Sequence, residues 1–222
     1  ARDIPVKDFP DTEYVVLATA RGVIKKTPLS DFNNPRAAGI IAQAVREGDR
    51  LIAAAKTSGQ HHILLSTRNG QSIRFSEEDV RSMGRAAQGV KGIHLRPGDE
   101  VVSMTTFIDE GEILTVTEHG FGKKTPSDEY RIQTRGGFGI INQKITPKTG
   151  PAVGVRFLKE NCNLILVTAG GQIIRMNTET IRTCGRATMG VTLIHLDEED
   201  QVTSFTLLAA EDDSADENGD DQ

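Results

Sequence analysis

Four copies of one short unit, spaced about fifty residues apart, leave this chain few folds to choose from. Each copy has an apolar run, a Thr, a Gly three residues later and a basic residue four after the Gly. They are Thr19-Ala20-Arg21-Gly22-Val23-Ile24-Lys25-Lys26, Thr67-Arg68-Asn69-Gly70-Gln71-Ser72-Ile73-Arg74, Thr117-Glu118-His119-Gly120-Phe121-Gly122-Lys123-Lys124 and Thr168-Ala169-Gly170-Gly171-Gln172-Ile173-Ile174-Arg175. The glycines Gly22, Gly70, Gly120 and Gly171 lie 48, 50 and 51 residues apart. A fixed period of this length marks a repeat architecture, in which one supersecondary unit cannot bury its own apolar face and must stack on its neighbours.

Each unit reads locally as a hairpin. Ile63-Leu64-Leu65-Ser66-Thr67 is a β-prone run, Arg68-Asn69-Gly70-Gln71 supplies residues that accept positive φ, and Ile73-Arg74-Phe75 alternates like a half-buried strand. Two further landmarks keep step. Arg36, Arg85, Arg135 and Arg186 each open a short Gly-containing segment and are 49, 50 and 51 residues apart. An acidic turn then leads into an apolar strand at Gly48-Asp49, Gly98-Asp99 and Glu199-Asp200, with Gly150-Pro151 in the third repeat. Four strands per repeat is the composition of a β-propeller blade. The expected fold is therefore all-β: about four four-stranded blades forming an arc or partial ring. The divisions are a lead-in at 1–12, a propeller at 13–208 (blades about 13–57, 58–106, 107–158 and 159–208) and an acidic tail at 209–222. Alternate repeats are more alike than neighbours: the first and third share Lys-Lys-Thr-Pro, the second and fourth share Arg-x-x-x-Gly-Val-x-x-Ile-His-Leu. Helical periodicity is confined to single turns near Glu77–Met83 and Thr178–Cys184.

Charge locates the chemistry better than composition does. The net charge of −5 hides an asymmetry: Glu211–Gln222 holds seven acids and no base, so the remainder carries 26 basic residues against 24 acidic ones. The body is mildly basic, and the acidic run reads as disordered. No apolar run approaches the ~20 residues of a membrane span. Two cysteines, Cys162 and Cys184, make no disulfide framework, and Cys184 reads as a small core residue. The five histidines have no zinc-ligand spacing, and no nucleophile triad, phosphate loop or motif-placed acid pair is found. Neither catalytic residues, nor a metal, nor a cofactor is expected.

The basic position four after the Gly recurs in all four copies, as Lys26, Arg74, Lys124 and Arg175, doubled by Lys25 and Lys123. If blades stack round an axis, one repeated strand position projects at one height from each, so these side chains would form a cationic belt, with Arg36, Arg85, Arg135 and Arg186 forming another. Evenly phased cations suit the uniform spacing of a phosphate backbone. Lys91, Arg131 and Lys144, beside these landmarks, complete the candidate set. The plainer alternatives are a solvated strand face for the lysines and carbonyl-bonding blade corners for the arginines other than Arg135. Aromatic content of 5% without Trp argues against base stacking on single strands and favours duplex DNA.

The units Thr-x-x-Gly-x-x-Lys-Lys, Gly-Arg-x-x-x-Gly-Val and Gly-Asp-x-Val-Val-Ser resemble those of the C-terminal domain of DNA gyrase A, across nearly all of residues 10–208. The resemblance implies a propeller of about six blades whose basic outer rim bends DNA. It also implies a non-catalytic part of an ATP-hydrolysing type II topoisomerase. Such a domain wraps DNA with positive handedness in support of negative supercoiling, with the rest of gyrase A and gyrase B as partners, in a bacterial cytoplasm at the nucleoid. The first repeat resembles the family's third blade, so a truncated, monomeric domain is expected. Gln133-Thr134-Arg135-Gly136-Gly137-Phe138-Gly139 resembles the family's signature box, with Thr134 and Phe138 in place of basic residues. From it Arg135 is carried over as a DNA contact, and Gln133, Gly136, Gly137 and Gly139 as the turn that lets DNA approach. The tail is expected to compete with DNA for the rim. The alternative within the same fold is the C-terminal domain of the DNA-cleaving component of topoisomerase IV, which binds DNA without strong wrapping. A protein-interaction or enzymatic propeller is the reading from another class.

Overall fold

The computed structural model describes residues 5–33 and 39–209. Among the described residues fifteen strands form four antiparallel sheets joined by four 3₁₀ turns, with no α-helix. The first repeat supplies β1 (Tyr14–Thr19), β2 (Val23–Pro28) and β3 (Leu51–Thr57). The second supplies β4 (His62–Thr67), β5 (Gln71–Ser76), the two-residue β6 (Val90–Lys91) and β7 (Val101–Phe107). The third supplies β8 (Glu112–Thr117), β9 (Phe121–Pro126), β10 (Ile140–Ile141) and β11 (Ala152–Leu158). The fourth supplies β12 (Asn163–Thr168), β13 (Ile173–Asn177), β14 (Val191–Thr192) and β15 (Val202–Leu208).

The blades do not coincide with the repeats. Their strand orders are β3-β1-β2-β6, β7-β4-β5-β10, β11-β8-β9-β14 and β15-β12-β13. Each of the first three blades takes its outermost strand from the following repeat, and the fourth has three strands among the described residues. The expected all-β architecture of about four blades stands, and only the assignment of one whole blade to each repeat is corrected. The short strands are too brief to carry a period-2 pattern, so nothing in the sequence shows which neighbour they pair with.

The repeated Thr and Gly have a mechanical role. In each hairpin the Gly N–H donates to the Thr carbonyl at 3.0–3.2 Å. In all four hairpins the N–H one residue further on donates to the Thr hydroxyl, as Gln71 does to Thr67 Oγ1 at 3.1 Å. The acidic turn caps the same hairpin from the other side: Asp49, Asp99 and Asp200 accept from the N–H of Arg21, Asn69 and Gly170 at 2.8–3.0 Å. The third repeat lacks that Asp, and the Thr149 carbonyl accepts from His119 N–H at 3.1 Å instead. The Gly carbonyl then receives the next repeat: Gly22 accepts from Gly92, Gly70 from Asn142 and Gly120 from Leu193, each at 2.8 Å.

Blades pack face to face, so the central strands β1, β4 and β8 are buried on both sides rather than alternating, whereas β12 of the fourth blade alternates. Ile63, Leu64 and Leu65 are all fully buried. One cluster joins the first two blades through Val16, Ile24, Leu65, Ile73, Phe75 and Ile93; another joins the last two through Leu114, Val116, Leu164, Leu166, Val202 and Phe205. Each such side chain contributes on the order of 1.5–3 kcal/mol. Strands β3, β7, β11 and β15 line an axial cavity of about 500 Å³ with Ala54, Ser103, Met104, Arg156 and Thr206 on its wall.

Candidate nucleic-acid interface

The lysines after the hairpin Gly point inward. Lys25 and Lys123 are fully buried, and Lys26 and Lys124 are 7% exposed. Lys25 Nζ donates to the carbonyls of Ala42 (2.7 Å) and Arg85, and Lys123 Nζ to those of Gly185 (2.7 Å) and Arg186. Lys26 Nζ donates to the Glu77 carbonyl at 2.9 Å, while Lys124 pairs with Glu112 at 2.9 Å. The half-buried Arg74 donates to the carbonyls of Ser127 (2.9 Å) and Tyr130 (3.3 Å). Most of these acceptors belong to the next repeat, so the basic position is a latch across a blade seam. The expected exposed belt of Lys25, Lys26, Arg74, Lys123 and Lys124 is thus corrected: each head group is spent on acceptors of the chain itself. Arg175, in the last repeat, is exposed.

The latch leaves its mark on the lysine chemistry. Burial pulls the Lys123 ammonium from 10.5 down to about 8, with Cys184 and Glu129 acting to raise it. Burial lowers Lys25 and Lys26 as well, against the carboxylates of Asp31 and Glu77 respectively.

The arginine landmarks divide. Arg36 lies outside the described residues, as do residues 1–4 and the acidic tail from 210 onward. The Arg135 guanidinium donates to the carbonyls of Asp79 (2.9 Å) and Lys91 (3.0 Å), and that of Arg186 to Ile141 (2.7 Å). Both are half-buried corner braces; the carbonyl alternative anticipated this for Arg186, whereas the expected DNA contact by Arg135 is corrected, its guanidinium being held by carbonyls of the chain. Arg85 is half-buried and lends its own carbonyl to Lys25. Gln133 N–H donates to the Arg74 carbonyl at 2.8 Å, and its side-chain amide nitrogen is buried. Of the box-like glycines, Gly136 and Gly139 have φ of +81° and +73°. A Cβ on Gly139 would stand 2.8 Å from the Ser72 carbonyl carbon, so the close approach is to β5 of the preceding repeat, with which β10 pairs, not to a ligand. Gly137 keeps ordinary room around it. Gly139→Ala should cost about 2–4 kcal/mol from positive φ plus steric overlap. Urea denaturation checks it; a loss under about 1 kcal/mol would mean the turn relaxes freely.

A different set of cations faces outward. Lys91 and Lys144 are exposed, as is Arg131. Arg131 has two counterparts in step, Arg81 and Arg182, at intervals of 50 and 51 residues, and both are exposed. Each follows the buried residue that closes a 3₁₀ turn: Val80, Tyr130 or Ile181. Each precedes a residue bridged to the neighbouring blade, Ser82 to Lys26, Ile132 to Arg74 and Thr183 to Lys124. The buried residue and the bridge fix the backbone on both sides, so the arginine between them projects to solvent at one equivalent point on three successive seams. Among the described residues none of the three makes a salt bridge. The sequence reading named Arg131 and missed Arg81 and Arg182. The in-step spacing was the available signal, obscured because the flanking residues Ser82, Ile132 and Thr183 differ.

No cluster of three or more metal-ligating side chains occurs among the described residues. Cys162 and Cys184 are free and half-buried, so Cys184 is less enclosed than a core residue would be. No described helix is long and apolar enough to cross a membrane.

The sequence profile of the DNA gyrase C-terminal domain, a β-propeller, matches residues 13–58, 61–107, 111–157 and 163–208. DNA gyrase A of Lawsonia intracellularis is 43% identical over 218 residues, 96% of this chain and 27% of that protein. The Staphylococcus aureus protein of the same name is 42% identical over 224 residues, 99% of this chain and 25% of its own. The chain thus spans about a quarter of the length of these relatives. A solved DNA gyrase A C-terminal domain superposes with a TM-score of 0.82 at 26% identity, over 91% of this chain and 68% of that one. The C-terminal domain of a DNA topoisomerase IV gives 0.87 at 26% identity, over 94% and 65%.

Proposed function

The chain belongs to the DNA gyrase C-terminal β-propeller family, and from that premise we propose that it binds and bends duplex DNA along the outer rim of its blades. It does so as a non-catalytic part of a type II topoisomerase, in support of ATP-dependent negative supercoiling. The observation that carries this reading is the arc of Arg81, Arg131 and Arg182, one exposed cation on each of three successive seams, with Lys91 and Lys144 beside it. Evenly stepped cations neutralise a backbone without reading its sequence. The axial cavity is lined by Arg156, Ser103 and Thr206 rather than by paired carboxylates, which favours the rim over an enzymatic pore. In the whole protein the remainder of gyrase A, together with gyrase B, would be the partners, and the bacterial nucleoid the site of action.

If about five phosphates are engaged, log affinity falls with log salt at a slope near −4.5, roughly 500-fold between 50 and 200 mM. Fluorescence anisotropy on a labelled duplex measures it, and salt-insensitive binding would sink the proposal. The topoisomerase IV alternative fits a structural similarity of the same order as that to the gyrase domain, while the relatives at 42–43% identity carry the gyrase name. Ligating nicked plasmid in the presence of the chain separates the two: a handed linking-number shift marks gyrase-type wrapping, binding without a shift the alternative.

A further inference from the structure

Several apolar side chains stand exposed along the cationic rim, Ile132, Phe138, Ile141 and Met189, and Phe138 is the aromatic one among them. Phe138 is 53% exposed although it sits in a turn pinned on every side. His94 N–H donates to the Gly137 carbonyl at 2.8 Å, and Gly136 N–H to the Gly92 carbonyl at 2.6 Å. Arg135 bonds the Lys91 carbonyl at 3.0 Å. The imidazole of His94 lies against the Phe138 ring, centroids 4.2 Å apart and planes tilted by 32°. The ring is thus braced from one side by a neighbouring repeat and bare on the other. Gly139 behind it backs onto β5, so the loop has no room to tuck the ring away. Exposed Lys91 and Arg131 lie close by in the chain fold, on β6 and at the head of the same loop.

A rigid aromatic held proud among cations does not match a phosphate, but it matches the flat apolar edge of a base step. We propose that Phe138, braced by His94, is a wedge that enters a base step of duplex DNA held on the rim, partly unstacks it and fixes where the duplex bends. The inference rests on the DNA-binding reading and adds the place of the bend. Inserted apolar side chains kink duplexes by opening one step, at a cost offset by the closer wrap that the bend permits. The same loop position one seam on is Met189, 36% exposed, and one seam back is Gln88. Apolar wedges therefore stand at two consecutive seams, and Phe138 is the larger.

The chain has no Trp, so Phe138→Trp introduces a single reporter at the wedge. With a duplex of about 40 base pairs carrying a donor and an acceptor dye at its ends, saturating wild-type chain should raise energy transfer. Phe138→Ala should lose about half or more of that rise, while its affinity falls by less than about tenfold, since the stacking lost and the unstacking avoided are of similar size. Emission of the Phe138→Trp chain should be quenched severalfold by duplex and shielded from acrylamide. An unquenched Trp together with an undiminished bend in Phe138→Ala, on duplex that is still bound, overturns the wedge and leaves the binding reading standing. A Phe138-dependent preference for single strands over duplex also overturns it. A wild-type chain that ignores duplex altogether removes both.

Discussion

Lys123→Met should destabilise the chain by roughly 2–4 kcal/mol, lowering the melting temperature by about 5–15 °C. The substitution keeps most of the side-chain volume, so it leaves little cavity. It deletes the ammonium that the carbonyls of Gly185 and Arg186 share across the seam between the third and fourth repeats, and a buried acceptor stripped of its donor carries its full desolvation cost. The loss should be local first: amide exchange at 185–191 should quicken before the rest of the blade opens. The pH dependence follows from burial. Lys123 is charged below about 8 in the folded chain and below about 10.5 unfolded. Between those values the unfolded state binds more protons, so wild-type stability gains from this group as pH rises through the window, and the gain is lost as pH falls through 8. The methionine variant lacks that gain, so its deficit relative to wild type should be larger at pH 9.5 than at pH 7. A deficit under about 1 kcal/mol at both would show that the carbonyls find other donors and that the latch is dispensable.

The same lysine shows how far a sequence can be read. The fifty-residue period, the hairpins and the propeller architecture were legible, because Thr19, Gly22 and Asp49 and their counterparts act within one repeat, where spacing along the chain is spacing in the hairpin. What happens between repeats was not. Lys25 and Lys123 recur because every seam needs a donor for the carbonyls arriving from the next repeat. Recurrence alone does not distinguish a seam from a solvent-facing rim. The exchanged strands failed for a related reason: Val90-Lys91, Ile140-Ile141 and Val191-Thr192 pair two residues each, too few to announce a partner. Arg131 was found, and Arg81 and Arg182 passed over, because shared motifs stand out in a sequence and phase alone does not. Phe138 was read as a missing base, when its exposure and its contact with His94 needed coordinates to appear.

Replacing Arg81, Arg131 and Arg182 together with alanine should cut duplex affinity roughly 10²–10³-fold near 100 mM salt and leave the fold intact. The three guanidinium groups are exposed and make no salt bridge among the described residues, so little packing is lost and the melting temperature should hold. Each phosphate contact contributes about 0.9 to the slope of log affinity on log salt. Removing three should lower the magnitude of the slope by nearly three, from about 4.5 to about 2. The slope discriminates where affinity alone does not: a variant that merely loosened the blades would lose affinity at every salt concentration and keep its slope. Single substitutions should each remove about one unit, and equally, because the seams are equivalent. A central seam contributing far more than its neighbours would point to one local contact instead of an arc. An unchanged slope in the triple variant would place the DNA elsewhere on the molecule and take the rim with it.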